Sequence, residues 1–523
     1  MLLKLRVCLS IIYIFSALLR RILLFIGKKP QRVPSITDSL LTISATALAR
    51  KIRQREVTCY DVVLAYIDQI KKVNPVLNAV VGNRFGDAIY EAKICDEQLA
   101  NGKFDIETLE KEKPLYGVPL TVKECCAVKG CSYAGGSLAY KGVKASSDAV
   151  VIQLLRNAGA IPICVTNTPE MCAGFECSNL LYGRTFNPYD TRYTCGGSSG
   201  GEGALLGAGA SVIGIGSDLV GSIRIPALFN GIFGHKPTAG IVSNIGHFPW
   251  TEDKVFQRFL TFGPMTRYAE DLGVLMKVMT STCDRNLRLD VPVDLQQLKV
   301  YYRFSMDEGF GTLPVEPEIQ NCVQRVVTHF KENNIPVEKL PIEWPTELVE
   351  ITIAEFFNVK IPPLLIDVND HTVSKNPFIE LPKTLLGLSQ YTFQASFLNM
   401  ICNTHFPFSE SDELYYTKQG KVIRQKLLDL LGENGIFIYP TFRRSTVLSQ
   451  LCLFETLNTA YCSIFNSFGF PAVHVPMGLN FEGLPIGVQV IAGPYQDRLC
   501  LAVAKELETA FGGWVQKISA NYD

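Results

Sequence analysis

The sequence predicts an α/β protein, and three observations carry the prediction. Short apolar runs rich in β-branched residues and bounded by glycine alternate with stretches whose apolar residues recur at helical spacing. Hydrophobic residues make up 47% of the 523 and charged residues 19%, so a large core can be buried and disorder is disfavoured. No repeat of roughly 20 to 50 residues and no low-complexity segment interrupts the body. Length alone gives a prior of about three domains, with one large α/β body carrying insertions as the alternative.

In chain order, the first element is a hydrophobic segment over residues 1–33. Residues 7–19 read VCLSIIYIFSALL, Arg20 and Arg21 interrupt the run, residues 22–26 resume it, and Lys28, Lys29 and Arg32 follow. The uninterrupted stretch is shorter than the ~20 residues of a spanning helix, but with the arginines snorkelling the whole segment could span. No small-residue cleavage site follows, which argues against a removed secretory signal. An uncleaved membrane anchor is expected, spanning or lying in the interface. The positive charges behind it place the body, residues 34–523, on the cytosolic side.

Within the body, Thr58-Cys59-Tyr60-Asp61 is a capping-box pattern. Val63, Tyr66, Ile67 and Ile70 follow at helical spacing, and Asn74-Pro75 is expected to end the helix. Residues 116–122 (YGVPLTV) and 211–215 (SVIGI) read as buried strands, with helices over 148–158 and 202–209. Later strands are expected over 435–439 and 486–491. Residues 385–408 contain no Asp, Glu, Lys or Arg. They read either as a buried core helix or as an apolar cap that touches lipid and admits a substrate chain.

Composition excludes several function classes. Lys+Arg 50 balance Asp+Glu 50, so there is no cationic excess to displace phosphate counterions, and bulk nucleic-acid binding is not expected. The 16 cysteines are scattered without a C-x-x-C pair, so neither a zinc ribbon nor a thioredoxin-like motif is supported, and no resident metal is expected. No N-x-S/T acceptor is present. Asn167-Thr168-Pro169 lacks the final hydroxyl. Free thiols without acceptors lean towards a reducing compartment.

Residues 194–240 read TCGGSSGGEGALLGAGASVIGIGSDLVGSIRIPALFNGIFGHKPTAG, far richer in glycine and serine than the rest. Embedded apolar runs argue against a flexible linker. So many glycines in a packed body imply tight turns and backbone amides exposed at helix starts. There is no GxxxxGK[ST], and Gly214-Ile215-Gly216 has Leu219 where a third glycine would complete GxGxxG, so nucleotide binding is disfavoured and no cofactor is expected. Gly197-Ser198-Ser199-Gly200-Gly201 also satisfies G-x-S-x-G. That pattern makes Ser199 a candidate esterase nucleophile, with His474 the one late histidine in an apolar setting.

The run 196–203 (GGSSGGEG), then Gly216-Ser217-Asp218, Gly221-Ser222-Ile223-Arg224-Ile225-Pro226 and Lys236-Pro237-Thr238, resembles the amidase signature family at fixed spacing. Outside it, residues 117–124 (GVPLTVKE) resemble the family's lysine strand and 484–490 (LPIGVQV) its late strand. The resemblance extends from about Leu40 to Val515 and is weaker over 291–409. The apolar N-terminus and the ending Phe511-Gly512-Gly513-Trp514-Val515 are most similar to the membrane-associated fatty-acid amide hydrolases of the second form. The resemblance implies a mixed β-sheet core covered by helices on both faces. It implies a serine hydrolase acting on lipid amides at a membrane bilayer, without a cofactor, and a homodimer.

By the same resemblance Lys123 is the base, Ser198 the bridging serine and Ser222 the nucleophile that forms an acyl-enzyme. An amide needs such a set, because one proton shuttle must activate the nucleophile and then protonate the departing nitrogen. A lysine behind an apolar strand is desolvated, and desolvation favours the neutral amine that a base must be. On the residues alone, Lys123 could instead pair with Glu124, and Ser222 could be a plain N-cap. The backbone amides of Leu219, Val220, Gly221 and Ser222 are expected to hold the oxyanion. Ser199, Asp218 and Arg224 support them, the last two as an internal ion pair or as braces of the backbone. The family commonly has glycine where this chain has Val220. The branched side chain either lowers turnover, in the limit leaving a lipid-amide binding protein, or shifts acyl preference.

Overall fold

A computed structural model of the chain describes residues 15–516, apart from Ala17, Lys28, 307–311 and Phe406. The glycine-bounded apolar runs become strands. In chain order these are β1 (Val80–Asn83), β2 (Pro119–Lys123), β3 (Ile161–Thr166), β4 (Ser178–Asn179), β5 (Gly183–Arg184), β6 (Ile213–Asp218), β7 (Phe233–Lys236), β8 (Thr261–Thr266), β9 (Lys299–Tyr302), β10 (Val337–Lys339), β11 (Gly435–Tyr439), β12 (Ala472–Leu479) and β13 (Pro485–Ala492). All but the β4-β5 hairpin join one 11-stranded sheet in the order β1-β3-β2-β6-β8-β7-β12-β13-β11-β9-β10. Helices surround it. The sheet is mixed: β2 runs parallel to β3 and β6, whereas β6-β8, β8-β7, β7-β12 and β12-β13 are antiparallel. Strands β2, β3, β6, β8 and β13 are buried at every position, which is why they read as continuous apolar runs and not as alternating ones.

The expected helices form with shifted ends, Val150–Asn157 and Gly200–Gly207. Thr58 caps the helix Cys59–Leu77 by accepting the Asp61 N–H, as its sequence suggests. The helix does not stop at Asn74-Pro75 but continues to Leu77. Proline in the last turn leaves the carbonyl of Lys71 without its helical donor, a loss that solvent at this exposed residue can offset, and Asn74 supplies the ending. Its carbonyl accepts the N–H of left-handed Asn78, and its side chain accepts those of Ala79 and Val80 at 2.8 and 2.9 Å.

Most of the apolar run expected to anchor the chain, residues 1–14, lies outside the described residues. Residues 18–26 are helical, and among the described residues no helix is long and apolar enough to cross a membrane. Arg20 does not snorkel. It pairs with Glu482 at 3.1 Å and donates to the Tyr193 hydroxyl, while Leu19, Leu23 and Leu24 pack on a cluster that includes Phe175, Tyr189 and Phe229. The other face, Phe15, Leu18, Ile22 and Phe25, is exposed.

Residues 385–408 do not form a buried core helix. Two helices, Pro377–Leu385 and Phe393–Thr404, meet at a turn, and Leu385, Leu386 and Leu388 on that turn are 71–74% exposed. Phe378 and Ile379 extend the patch. The second helix is tied to the body at its start, where the Glu170 carboxylate accepts the Thr392 N–H at 2.7 Å.

Candidate active site

Lys123 is the last residue of β2 and is fully buried. Because β2 and β6 are parallel, with Val122 opposite Ile215, their carboxyl ends stand side by side. The Lys123 Nζ donates to Ser198 Oγ at 2.6 Å and to Ser217 Oγ at 2.9 Å. Glu124 leaves the strand on the other side. Its carboxylate accepts from the Ser132 hydroxyl and from the amides of Ala134 and Gly135, so it braces a loop and is not the partner of Lys123. Burial raises the Glu124 carboxyl above its usual range.

Ser198 and Ser199 lie immediately before the helix Gly200–Gly207, and the Gly197-Ser198 peptide is cis. Glycine within that helix permits close approach to the end of β3. A Cβ at Gly201 would stand 2.5 Å from the Asn167 nitrogen. Ser199 fastens this segment to β6. Its hydroxyl donates to the Ser217 carbonyl and accepts the Ser217 N–H, and its own N–H donates to the Ser222 carbonyl at 3.1 Å. The two serine-bearing segments are therefore joined by their backbones. Ser199 does not meet His474. His474 lies on β12, three strand spacings or about 14 Å from β6, and its Nδ1 is 2.7 Å from the Thr441 hydroxyl. Burial pushes its pKa down to about 3. The Ser199/His474 esterase arrangement is therefore not formed.

Ser222 is buried and sits one residue before the N-cap of the helix Arg224–Phe229. The cap is Ile223, so Ser222 is not a plain capping serine. The loop that carries it is held by Asp218, whose carboxylate accepts the Gly221 N–H at 2.7 Å, the Ile223 N–H at 3.1 Å and both Nε and Nη2 of Arg224. Arg224 also donates to the Cys462 carbonyl, Gln489 and Asn466, and Asn466 donates to Asp218. Burial works against the Asp218 charge, but Arg224 and Asn466 overcome it and hold the carboxyl well below its usual range. Gly221 has φ +114°, and a Cβ there would stand 2.7 Å from Cys462 Cβ, so this position requires glycine. Val220 lies outside the left-handed region, so valine adopts its backbone there without strain. Since the Gly221 N–H points at Asp218, the amides of Leu219, Val220 and Ser222 are the better placed candidate donors to an oxyanion.

Three groups around this centre escape sequence reasoning. Ser217 bridges Lys123 and His247, whose Nε2 is 3.0 Å from Ser217 Oγ. Burial pushes the His247 pKa down to about 4. Glu202 accepts from the hydroxyls of Thr121 and Thr166 at 2.6 and 2.7 Å. Burial raises its carboxyl to about 7, with those bonds and the Lys123 charge pulling the other way. Ser217 was visible within Gly216-Ser217-Asp218, one strand over from Lys123. Nothing local marked His247.

The amidase family model matches residues 61–501. Fatty-acid amide hydrolase 2 of Homo sapiens is 41% identical over 498 residues, 94% of this chain and 92% of that protein. Fatty-acid amide hydrolase 2-B of Danio rerio is 41% identical over 496 residues, 93% of each. A solved fatty acid amide hydrolase superposes with TM-score 0.71 at 21% identity, over 91% of this chain and 86% of that one, a likeness of fold. Family match, near full-length kinship and a shared α/β architecture agree: the chain belongs to the amidase signature family, as a serine hydrolase acting on carbon–nitrogen bonds.

Proposed function

We propose that the chain hydrolyses fatty-acid amides, both primary amides and N-acylethanolamines, through an acyl-enzyme on Ser222. The observation that carries the reading is the buried 2.6 Å contact between Lys123 Nζ and Ser198 Oγ, with the Ser222 segment bonded through its backbone to Ser199. In its free-amine form Lys123 takes a proton through Ser198 as the Ser222 oxygen attacks the carbonyl. The tetrahedral oxyanion is held by amides of the loop 219–222, a term commonly worth about 3 to 4 kcal/mol per donor. The same proton returns through Ser198 to the leaving nitrogen. Water then enters by the reverse relay and releases the fatty acid, and an ester can follow the same route.

A lipid substrate is supported by the kinship with fatty-acid amide hydrolases and by two exposed apolar surfaces. One is the turn of Leu385, Leu386 and Leu388, and the other the outer face of helix 18–26. Both suit a protein lying on a bilayer, with an acyl chain entering beneath the first. The unstrained Val220 favours an active enzyme over a lipid-amide binding protein. Labelling with a fluorophosphonate probe followed by peptide mapping tests the chemistry. Label on Ser222 is expected, and label on Ser199 or none overturns the mechanism.

A further inference from the structure

Beside the Lys123 centre, three segments distant in sequence bring soft metal ligands together. Cys125 follows β2, Cys172 ends the turn Glu170–Cys172, and His247 pairs by an isolated bridge with Cys126. The two Sγ atoms and a ring nitrogen of His247 all lie within 4.8 Å of one another, and Cys125 Sγ is 3.5 Å from His247 Nε2. Zinc bonds of about 2.3 Å to sulfur and about 2.0 Å to nitrogen, opened to a tetrahedral angle, place those two ligands about 3.5 Å apart. The histidine is also set for ligation. Its Nδ1 is 2.8 Å from the Pro249 carbonyl, which can only accept, so Nδ1 carries the proton and the Nε2 lone pair faces the thiols. Cys125 is buried and Cys172 half-buried, with the Thr168 hydroxyl 3.4 Å from the Cys172 sulfur.

We infer that Cys125, Cys172 and His247 form a Zn²⁺ site whose occupation inhibits the enzyme. Two thiols and a neutral imidazole are a donor set suited to zinc. On binding, Zn²⁺ forms two Zn–S bonds and one Zn–N bond, and the two thiol protons pass to the solvent, with no change of oxidation state. The fourth corner faces Ser217, whose Oγ is 3.0 Å from Nε2 and 3.5 Å from Cys125 Sγ. Zinc takes the Nε2 lone pair from Ser217 and draws its hydroxyl oxygen, the same atom that accepts from Lys123 at 2.9 Å. The amine loses one of its two hydroxyl partners and faces a metal cation. The inhibition rests on the role proposed for Lys123; the binding does not.

The test uses the full reduced, metal-free chain with Co²⁺ as a spectroscopic probe. One equivalent is expected to give thiolate-to-cobalt charge-transfer and tetrahedral ligand-field bands, displaced by Zn²⁺. Cys172→Ser should abolish them. Cys172→Gly serves as a second variant, since φ +59° at this position suits glycine and the substitution removes the sulfur without backbone strain. Zn²⁺ should slow fluorophosphonate labelling of the parent, and either variant should raise the half-inhibiting concentration at least tenfold. Absent bands, or bands unchanged in both variants, overturn the site. Site-specific bands with undiminished labelling overturn the inhibition. Failure of the proposed mechanism reads differently: label misses Ser222 before any metal is added, while the cobalt spectrum is unaffected.

Discussion

Replacing Asp218 with Asn probes the scaffold that holds the Ser222 loop. The carboxylate accepts five hydrogen bonds, from the amides of Gly221 and Ile223, two guanidinium nitrogens of Arg224 and the Asn466 side chain, all without solvent. Asparagine removes the charge and turns one acceptor into a donor facing donors. Arg224 is then left as a buried cation without its counter-charge, a situation that costs about 3 to 5 kcal/mol. Urea denaturation of parent and variant should show a loss of that size at neutral pH. The Asp218 carboxyl is depressed in the folded chain, so its contribution is fully present above the usual aspartate value of 3.8 and is lost as pH falls towards the folded value. The difference between the parent and the Asp218→Asn variant should therefore shrink below about pH 4. Arg224→Lys, which keeps a charge but not the five-donor fork, should be intermediate. A neutral-pH loss under about 1 kcal/mol, typical of an exposed pair, would refute the reasoning.

Lys123→Ala should lower amide hydrolysis by about 10²-fold or more, the usual contribution of a proton-transfer group, with the fold intact by circular dichroism. Val220→Gly should shift preference between short and long acyl amides and leave the best kcat nearly unchanged, because the parent backbone is unstrained there; steady-state kinetics on both substrates check this. Glu202 holds its proton up to about pH 7 when folded, against its ordinary value of 4.5, so the parent should lose about 3 kcal/mol of stability as pH rises through that window. Glu202→Gln should remove that slope in pH-dependent urea melts. Triple replacement of Leu385, Leu386 and Leu388 by serine removes apolar surface worth about 1.5 kcal/mol or more per side chain, and should weaken co-sedimentation with lipid vesicles more than tenfold.

Local rules made a large part of this molecule legible. Strand β11 has the expected ends, and the Thr58 cap and the buried strands β2 and β6 follow from patterns a few residues long. The parallel pairing of β2 with β6 sets the carboxyl ends of the two strands side by side, and Lys123 and Ser198, 75 residues apart, were singled out by their resemblance to the amidase signature and not by any local rule. One misreading arose where a residue's partner is remote, and another where side-chain bonds, although local, set the end of a helix. Arg20 looks like a snorkelling cation until Glu482, near the other end of the chain, is seen to hold it. Pro75 looks like a helix stop because the bonds that Asn74 makes to the residues beyond the helix end are invisible to a propensity argument.

His247 is the sharper case. The sequence around it, Gly246-His247-Phe248-Pro249, has no catalytic or metal pattern, and its ring reaches the centre because a single bridge to Cys126 lays residue 247 against the end of the lysine strand. Chain folding then makes one hydroxyl, that of Ser217, common to two networks, Lys123 on one side and the Cys125, Cys172 and His247 group on the other. A change on either side must act on the other through that oxygen. Ser217→Ala therefore separates the two: it removes a partner of Lys123 and the oxygen at the fourth corner while leaving three metal ligands in place. Cobalt bands should persist in that variant, and zinc should lose most of its hold on labelling at Ser222. If zinc still inhibits Ser217→Ala at the parental concentration, its action runs through charge alone, and the shared hydroxyl is not the link.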